Sequence, residues 1–430
     1  MKFYWQYMRI LLIGVIITGT ARSQPYISPR SMAFSGAYAT QARGVEVLGW
    51  NPANLGYADN PGFMLSFGVL PLVPFPSISL ANNTITPSLY NTYFHQGDHL
   101  DDMKKQALLA NFPEKGTEVY PQVSMRLFGI SFGRTALALD VQALGAGTIP
   151  KSVPNLAFLG NEFDAPISLE NINVETLGVT SLSIAHAFSL TIPYFQETYL
   201  GVGVKALGGG GYAHTEEVSG ELTLSRDRII AQGDATAKYS LVGYGYAFDL
   251  GAAAKINERM TANLALNNLL GRINWTDENT ELYEYSFDFE LNSRDIPDLN
   301  ADSLMEASVN TDTAYAVPGF NTAYPTYLVA GFQYDPISPL SVFVNYRMGF
   351  SNQLMSTTKP RLSVAGEYML ARWFPVRFGL HVGGLHNFGW GTGLGLEFNH
   401  YRLVFGFSQT GGFFNNAKGF SLALGQELVF

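Results

Sequence analysis

Trp390-Gly391-Thr392-Gly393-Leu394-Gly395-Leu396-Glu397-Phe398 is the stretch whose reading decides the fold. Its even positions are Trp, Thr, Leu, Leu and Phe, and its odd positions are three glycines and one glutamate. Large apolar groups on one side and small or polar groups on the other, with a period of two, describe a β-strand. The pattern repeats nearby. Val242, Tyr244, Tyr246, Phe248 and Leu250 oppose Gly243, Gly245, Ala247, Asp249 and Gly251. At the C-terminus Phe420, Leu422, Leu424, Leu428 and Phe430 share a face, interrupted by Gln426. Segments of this kind, about ten residues long and bounded by aromatics, suit strands that cross a bilayer with the apolar side outward.

A soluble β-sandwich also alternates. Its polar face would be its solvent face, rich in Lys and Glu, whereas here that face is mostly Gly, Ala and Ser. The apolar face is large, aromatic and repeated in segment after segment, more than one core could enclose.

Strands are expected near 62–70, 121–132, 134–144, 176–190, 197–209, 240–256, 259–270, 325–335, 339–350, 360–370, 374–384, 388–398, 401–410 and 416–430. That is an all-β, transmembrane antiparallel β-barrel of about 14 strands over residues 62–430. Connections on one side are short: Gly133, Asn257-Glu258, Ala371–Trp373 and Asn399-His400 among them. The long ones, 71–120, 145–175, 210–239 and 271–324, all fall on the other. Short periplasmic turns and long extracellular loops characterise outer-membrane barrels.

Composition agrees. Of 430 residues, 14 % are charged and 13 % aromatic, with 44 Gly and no Cys. The absence of Cys rules out disulfides, thiolate metal sites and Cys nucleophiles. The net charge of −9 argues against nucleic acid as a partner. Lys2 and Arg9, the apolar run Ile10–Gly19 and the small residues of Ala21-Arg22-Ser23 read as a signal peptide over 1–23. The run is too short for a membrane helix, so export to the outer membrane of a Gram-negative bacterium is expected.

Charges within the strands test the assigned faces. With registers set by apolar residues alone, Asp140, Lys205, Asp249, Arg347, Arg361, Glu367, Arg377, Glu397, Arg402 and Glu427 all fall opposite the apolar face. A lipid-facing Arg or Lys at mid-bilayer costs about 2–4 kcal/mol. These ten, with His381 placed beside Arg377, are therefore assigned to the lumen wall. Five acids and five bases make a wall either salt-bridged to a plug or lining a solute path.

Residues 24–61 precede the first strand and are too many for a lead-in. They contain Ser31–Ala39 (SMAFSGAYA) and Gly44–Tyr57 (GVEVLGWNPANLGY). Asn51 can cap a short helix that begins at Pro52, where a missing N–H costs nothing. Trp50-Asn51-Pro52-Ala53 after this small-residue lead resembles the N-terminal hatch of long-chain fatty-acid transporters of the FadL type. It is equally similar to PorV-type barrels of the same superfamily, which serve type IX secretion in Bacteroidetes-like bacteria. The resemblance implies a fourteen-stranded barrel with an N-terminal hatch in the lumen, held in shape by Asn51, Pro52 and Ala53. The terminal Phe430 looks like the signal read by the outer-membrane assembly machinery.

The loops carry the recognition. Loop 71–120 begins apolar and then turns helical, with Asp98 as cap and Leu100, Met103 and Ala107 on one face. By resemblance it would offer hydrophobic solutes a first site, unless it is a lid packed on itself. Between Asp277 and Asp312 stand eleven acids and one base, Arg294, leaving 25 basic and 24 acidic residues elsewhere. Asp298, Asn300 and Asp302 are spaced like the start of a calcium loop, but Ser303 and Val309 replace its Gly and Glu. A solvated acidic loop explains them without a metal. His95 and His99, beside Asp98, Asp101 and Asp102, lack the intervening Glu of a zinc hydrolase. No catalytic constellation and no cofactor motif is present. Two functions remain: uptake of hydrophobic or amphipathic small molecules by hatch-gated diffusion, or a PorV-like role in which outer loops hold an extracellular protein.

Overall fold

The computed structural model describes residues 28–67, 69–70, 73–95, 100–160, 166–225, 228–292, 311–352 and 356–430. Alternating segments pair antiparallel with their neighbours around a closed fourteen-stranded barrel. The strands are β1 (Phe63–Phe67), β2 (Thr117–Phe132), β3 (Thr135–Ile149), β4 (Asn173–Leu190), β5 (Glu197–Leu224), β6 (Gly243–Asn257) and β7 (Met260–Trp275). They continue as β8 (Tyr327–Ile337), β9 (Leu340–Gly349), β10 (Arg361–Ala371), β11 (Phe374–Gly383), β12 (Phe388–Glu397), β13 (Tyr401–Thr410) and β14 (Gly419–Val429). Pairing of Met64–Phe67 with Gln426–Val429 closes the ring.

The faces separate as the alternation predicts. Leu182 is 47 % exposed, while Ser181 and Ser183 on either side are 6 % and 2 % exposed. Leu200, Val202, Val204, Leu250, Leu264, Val364 and Leu380 are likewise exposed and point outward around the ring. A continuous apolar belt of this extent is an exterior built for hydrocarbon.

The wall departs from the expected plan at two places. β1 stops at Phe67 instead of running to residue 70, and the upper wall is completed by Ser77–Asn82. That segment pairs with Gly419–Leu422 of β14 and Val119–Ser124 of β2. Prolines at 71, 74 and 76 explain the break, because each removes an N–H that a continuous strand would donate. Conversely, β5 runs on to Leu224, where a loop was expected from residue 210. Gly208–Gly211 reads as a turn but forms strand. The indole of Trp275 lies where Cβ atoms of Gly209 and Gly243 would stand. Beyond the barrel, β5 pairs with Arg228–Ser240, which pairs with Thr280–Asn292 and through it with Thr311–Ala316. A sheet therefore projects from the long-loop end.

The first long connection carries two helices, Pro87–Tyr93 and Asp102–Leu109. The second is capped by Asp101, whose Oδ1 accepts from the Lys104 amide at 2.8 Å. Asp98 lies outside the described residues, and so does His99. The expected apolar face is not the buried one: Met103 is 80 % exposed, and Leu108 and Leu109 are buried instead.

Residues 28–61 lie inside the barrel, packed on its wall. Ser28 caps the helix Pro29–Ala33, its Oγ accepting from the Ser31 amide at 3.2 Å. Two 3-10 turns follow, Gly44–Val47 and Pro52–Gly56. The core joins hatch to wall: Phe34, Tyr38, Trp50 and Leu55 pack with Ala136, Ala185, Tyr327 and Phe343. The rings of Phe34 and Phe343 lie 5.0 Å apart, and Tyr38 meets Trp50 edge-on at 5.5 Å.

Candidate functional site

The site is the lumen, in three parts. The first is the seat of the hatch, where Asn51 is fully buried. Its Oδ1 accepts from the Ala53 amide at 2.9 Å, the N-cap geometry that Pro at the first position permits. Its Nδ2 donates to the carbonyls of Ala252 (3.0 Å) and Leu264 (3.3 Å) on β6 and β7. One side chain thus shapes the turn and ties it to the wall. A Cβ on Gly251 would overlap Asn51 Oδ1, and one on Gly201 would overlap the Ala53 amide. Elsewhere Gly379, Gly391 and Gly406 lie against the backbone of Phe34, Met32 and Pro29. The glycine face of the strands is the surface on which the hatch lies.

The second part is the set of ion pairs that joins hatch and wall. Arg126 of β2 grips Asp140 of β3 with Nε–Oδ1 at 2.8 Å and Nη2–Oδ2 at 3.2 Å. Its Nη1 reaches Glu46 of the hatch at 3.0 Å. Across the barrel, Arg30 of the hatch meets Glu427 at 2.7 Å and Glu397 at 3.6 Å. Glu397 also takes Arg377 at 2.7 Å and Arg402 at 3.7 Å. Arg377 holds Glu367 at 2.6 Å, and Gln41 of the hatch donates to Glu367 at 2.8 Å. On β5 and β6, Lys205 pairs with Asp249 at 2.9 Å and donates to Asn268 at 2.6 Å. Arg347 lies over the ring of Tyr327, 4.3 Å from its centroid. His381 sits beside Arg361 rather than Arg377: its Nδ1 is 3.0 Å from Arg361 Nη2 and 2.7 Å from Ser35 Oγ.

Three members of these networks escape a reading by alternation. Arg126 precedes a bulge between residues 126 and 128, where the register shifts and period two fails. Arg30 and Glu46 lie in the hatch, whose turns have no period to read. Asp298, Asn300 and Asp302 lie outside the described residues.

The third part is the long-loop half of the lumen, which has two unlike sides. Along β3 to β7, Leu144, Leu177, Val179, Leu207, Tyr212, Ile273 and Trp275 form a buried apolar cluster, with Phe320, Tyr324 and Leu385 packed on it. Trp275 Nε1 donates to Thr322 Oγ1 at 3.0 Å, so the indole is fixed at its polar end. Two adjoining clefts share Arg347, Arg361, His381 and His386.

With this geometry, comparison with known proteins is informative about the fold. A family of unknown function, DUF5723, matches residues 232–407. No curated protein matches in sequence. Among solved structures, the Ralstonia pickettii toluene transporter TbuX shares 13 % identity at a TM-score of 0.53, over 94 % of this chain and 99 % of that one. The CymD monoaromatic hydrocarbon channel gives 13 % and 0.55, over 94 % and 98 %. A Pseudomonas aeruginosa FadL homologue gives 11 % and 0.52, over 96 % and 100 %. The chain therefore has the fold of the FadL-type barrels along nearly its whole length.

Proposed function

We propose that this chain is an outer-membrane channel that admits hydrophobic or amphipathic small molecules by diffusion past a movable hatch, without catalysis or cofactor. The observation that carries this reading is the apolar cluster around Trp275 and Tyr212, towards the long-loop end of a barrel whose interior also holds residues 28–61. A water-filled porin would have a polar mouth. An apolar one lowers the cost of desolvating a greasy solute and concentrates it above the hatch. The transport of toluene and monoaromatic hydrocarbons named for the structural neighbours points the same way. In this reading the short-turn end is periplasmic, residues 1–23 are a cleaved signal peptide, and displacement of the Asn51-Pro52-Ala53 turn opens the path.

Mass spectrometry of the native purified barrel tests it. Copurifying acyl chains or aromatic compounds are the expected result, together with faster uptake of such compounds by cells that express the chain. Uptake equal to that of cells lacking the chain would overturn it.

A second reading rests on the projecting sheet. Arg228–Ser240 and Thr280–Asn292 carry Asp234, Glu281, Glu284, Asp288 and Glu290 against Arg228 and Lys238. Such a surface favours a basic extracellular protein as partner. Stoichiometric copurification of one would move the assignment from transport to surface-protein attachment.

A further inference from the structure

The sheet that projects from the long-loop end has two edges, and they differ. On one side Pro166–Ser168 pairs with Glu221–Thr223 of β5 and covers that edge. On the other, Thr311–Ala316 pairs with Glu281–Ser286 and has no second ladder among the described residues. The Val317 amide donates to the Thr280 carbonyl, which fixes the phase of the bonding. Residues along an antiparallel strand bond alternately to one side and the other, so 311, 313 and 315 bond inward. The N–H and C=O groups of Asp312, Ala314 and Ala316 therefore point away from the sheet. Thr313, Ala314, Tyr315 and Ala316 are exposed one after another, on both faces. A free edge is commonly guarded by Pro, by Lys or by a bulge. Thr311-Asp312-Thr313-Ala314-Tyr315-Ala316 has none of these.

The two faces of this sheet are also unlike. Register places Glu217, Thr236, Glu284 and Thr313 in one row across four strands. Glu221, Asp234, Asp288 and Glu290 lie on the same face. The bases on that face are Arg228, which holds Glu290 at 3.1 Å, and Lys238, which holds Glu216 at 2.5 Å. Glu284, nearest the open edge, accepts from the Tyr315 hydroxyl at 2.6 Å. The opposite face carries Tyr283, Tyr285 and Phe287 beside Ala237, Ala235 and Gly233. A strand laid on the edge would meet acids on one side and small or aromatic groups on the other. A second copy of the same edge would set acids against acids, which destabilises a cross-strand pair. An alternating basic strand would instead find its counterions in place.

We infer that the Thr311–Ala316 edge takes up an extended segment of another protein as an added strand, its alternate residues basic on the Glu284 face and β-branched or apolar on the Tyr283 face. The outward backbone groups of Ala314 and Ala316 hold the segment, and the acids select it. The inference deepens the reading of the projecting sheet as a partner surface, on which it rests, and is independent of the uptake reading.

Fluorescence anisotropy with the full chain in a non-ionic detergent tests this, using a labelled decapeptide of alternating Lys and Val. Saturable binding is expected, weaker as salt rises. A peptide of alternating Glu and Val is expected not to bind. In an antiparallel addition the Val amides face the edge, and in a parallel one the Lys amides do. N-methylation of the facing set is expected to weaken binding by about tenfold or more, and N-methylation of the other set to leave it unchanged. Ala314→Pro removes an outward N–H and spares the inward bonds of Thr313 and Tyr315, so it is expected to weaken binding by about tenfold as well. The methylated peptides need no change in the protein, so they decide the question even where the Pro variant disturbs the sheet. Binding that survives methylation of either set would overturn strand addition while keeping the acidic sheet as a partner surface. Absence of saturable binding by the Lys peptide would remove both. A dimer of the unaltered chain in ultracentrifugation, lost in Ala314→Pro, would give the edge to a second copy and overturn the inference.

Discussion

Arg126 on the barrel wall and Glu46 on the hatch form an ion pair of 3.0 Å in which both side chains are almost wholly buried, 1 % and 6 % exposed. Asp140 completes the triad on the same guanidinium. Removing the cation alone, as in Arg126→Met, leaves two buried carboxylates facing each other. The expected loss is about 3–5 kcal/mol in urea unfolding of the detergent-solubilised barrel. Neutralising all three groups together, Arg126→Met with Glu46→Gln and Asp140→Asn, is expected to recover most of it, because no charge is then stranded. A triple variant no more stable than the single one would refute the triad as the cause.

Asn51 separates capping from docking. Asn51→Asp keeps an oxygen for the Ala53 amide but replaces the donor that serves Ala252 and Leu264 with a second acceptor. It is expected to destabilise the hatch more than Asn51→Ala, which costs about 1–3 kcal/mol. Protease cleavage within residues 28–61 reads the difference directly. Equal sensitivity of the two variants would mean that only the cap matters.

Gly201 and Gly251 are where side chains cannot be added without moving the Asn-Pro-Ala turn. Gly201→Val is expected to lift the hatch from its seat and raise single-channel conductance in planar bilayers several-fold. Gly366, whose Cβ would meet only the Ser341 carbonyl at 3.7 Å, is the control. Conductance unchanged in Gly201→Val would show that the hatch is held mainly by its ion pairs.

Trp275 packs on Tyr212 and Phe320 and occupies the space over Gly209 of β5 and Gly243 of β6. Trp275→Ala removes a buried indole, with an expected loss of about 3–5 kcal/mol in stability. On the uptake reading it also slows entry of hydrophobic probes while letting small polar solutes leak. Loss of stability with uptake intact would confine Trp275 to packing.

Phe430 has a structural part as well as the expected role in assembly. Its backbone exchanges hydrogen bonds with Phe63 at 2.9 and 2.8 Å, and its ring stacks on His400 with centroids 4.8 Å apart. Phe430→Ala keeps the backbone bonds, whereas deleting the residue loses them. An assembly defect common to both variants in cells would mark the ring as the recognised element. A defect confined to the deletion would place the effect in closure of the sheet.

Much of this was legible because period two is a local property. Glu397 and Trp390 announce their faces within nine residues, and the same holds for Asp249 against Phe248. What the glycines touch was not legible. Their abundance reads only as the small face of each strand. Gly201 and Gly391 instead lie against Ala53 and Met32, partners more than a hundred residues away in the chain. Arg126 was hidden by its bulge, and β5 was cut short because Gly208–Gly211 has no side chains to alternate. The pairing of Arg361 with His381 instead of Arg377 follows from strand register across β10 and β11, which alternation within one strand does not specify.

The break in the first strand has a mechanical consequence. β14 is held on that side only through Gly419–Leu422 and Gln426–Val429, with Ala423–Gly425 lacking a ladder partner there among the described residues. β3 and β4, by contrast, are joined without interruption from Thr135 to Thr148. The cylinder therefore has one seam that is divided in two. Heating, or the reverse of membrane insertion, should unzip the protein there first, and the first and last strands, which meet at Phe63 and Phe430, should be the last to join when it forms.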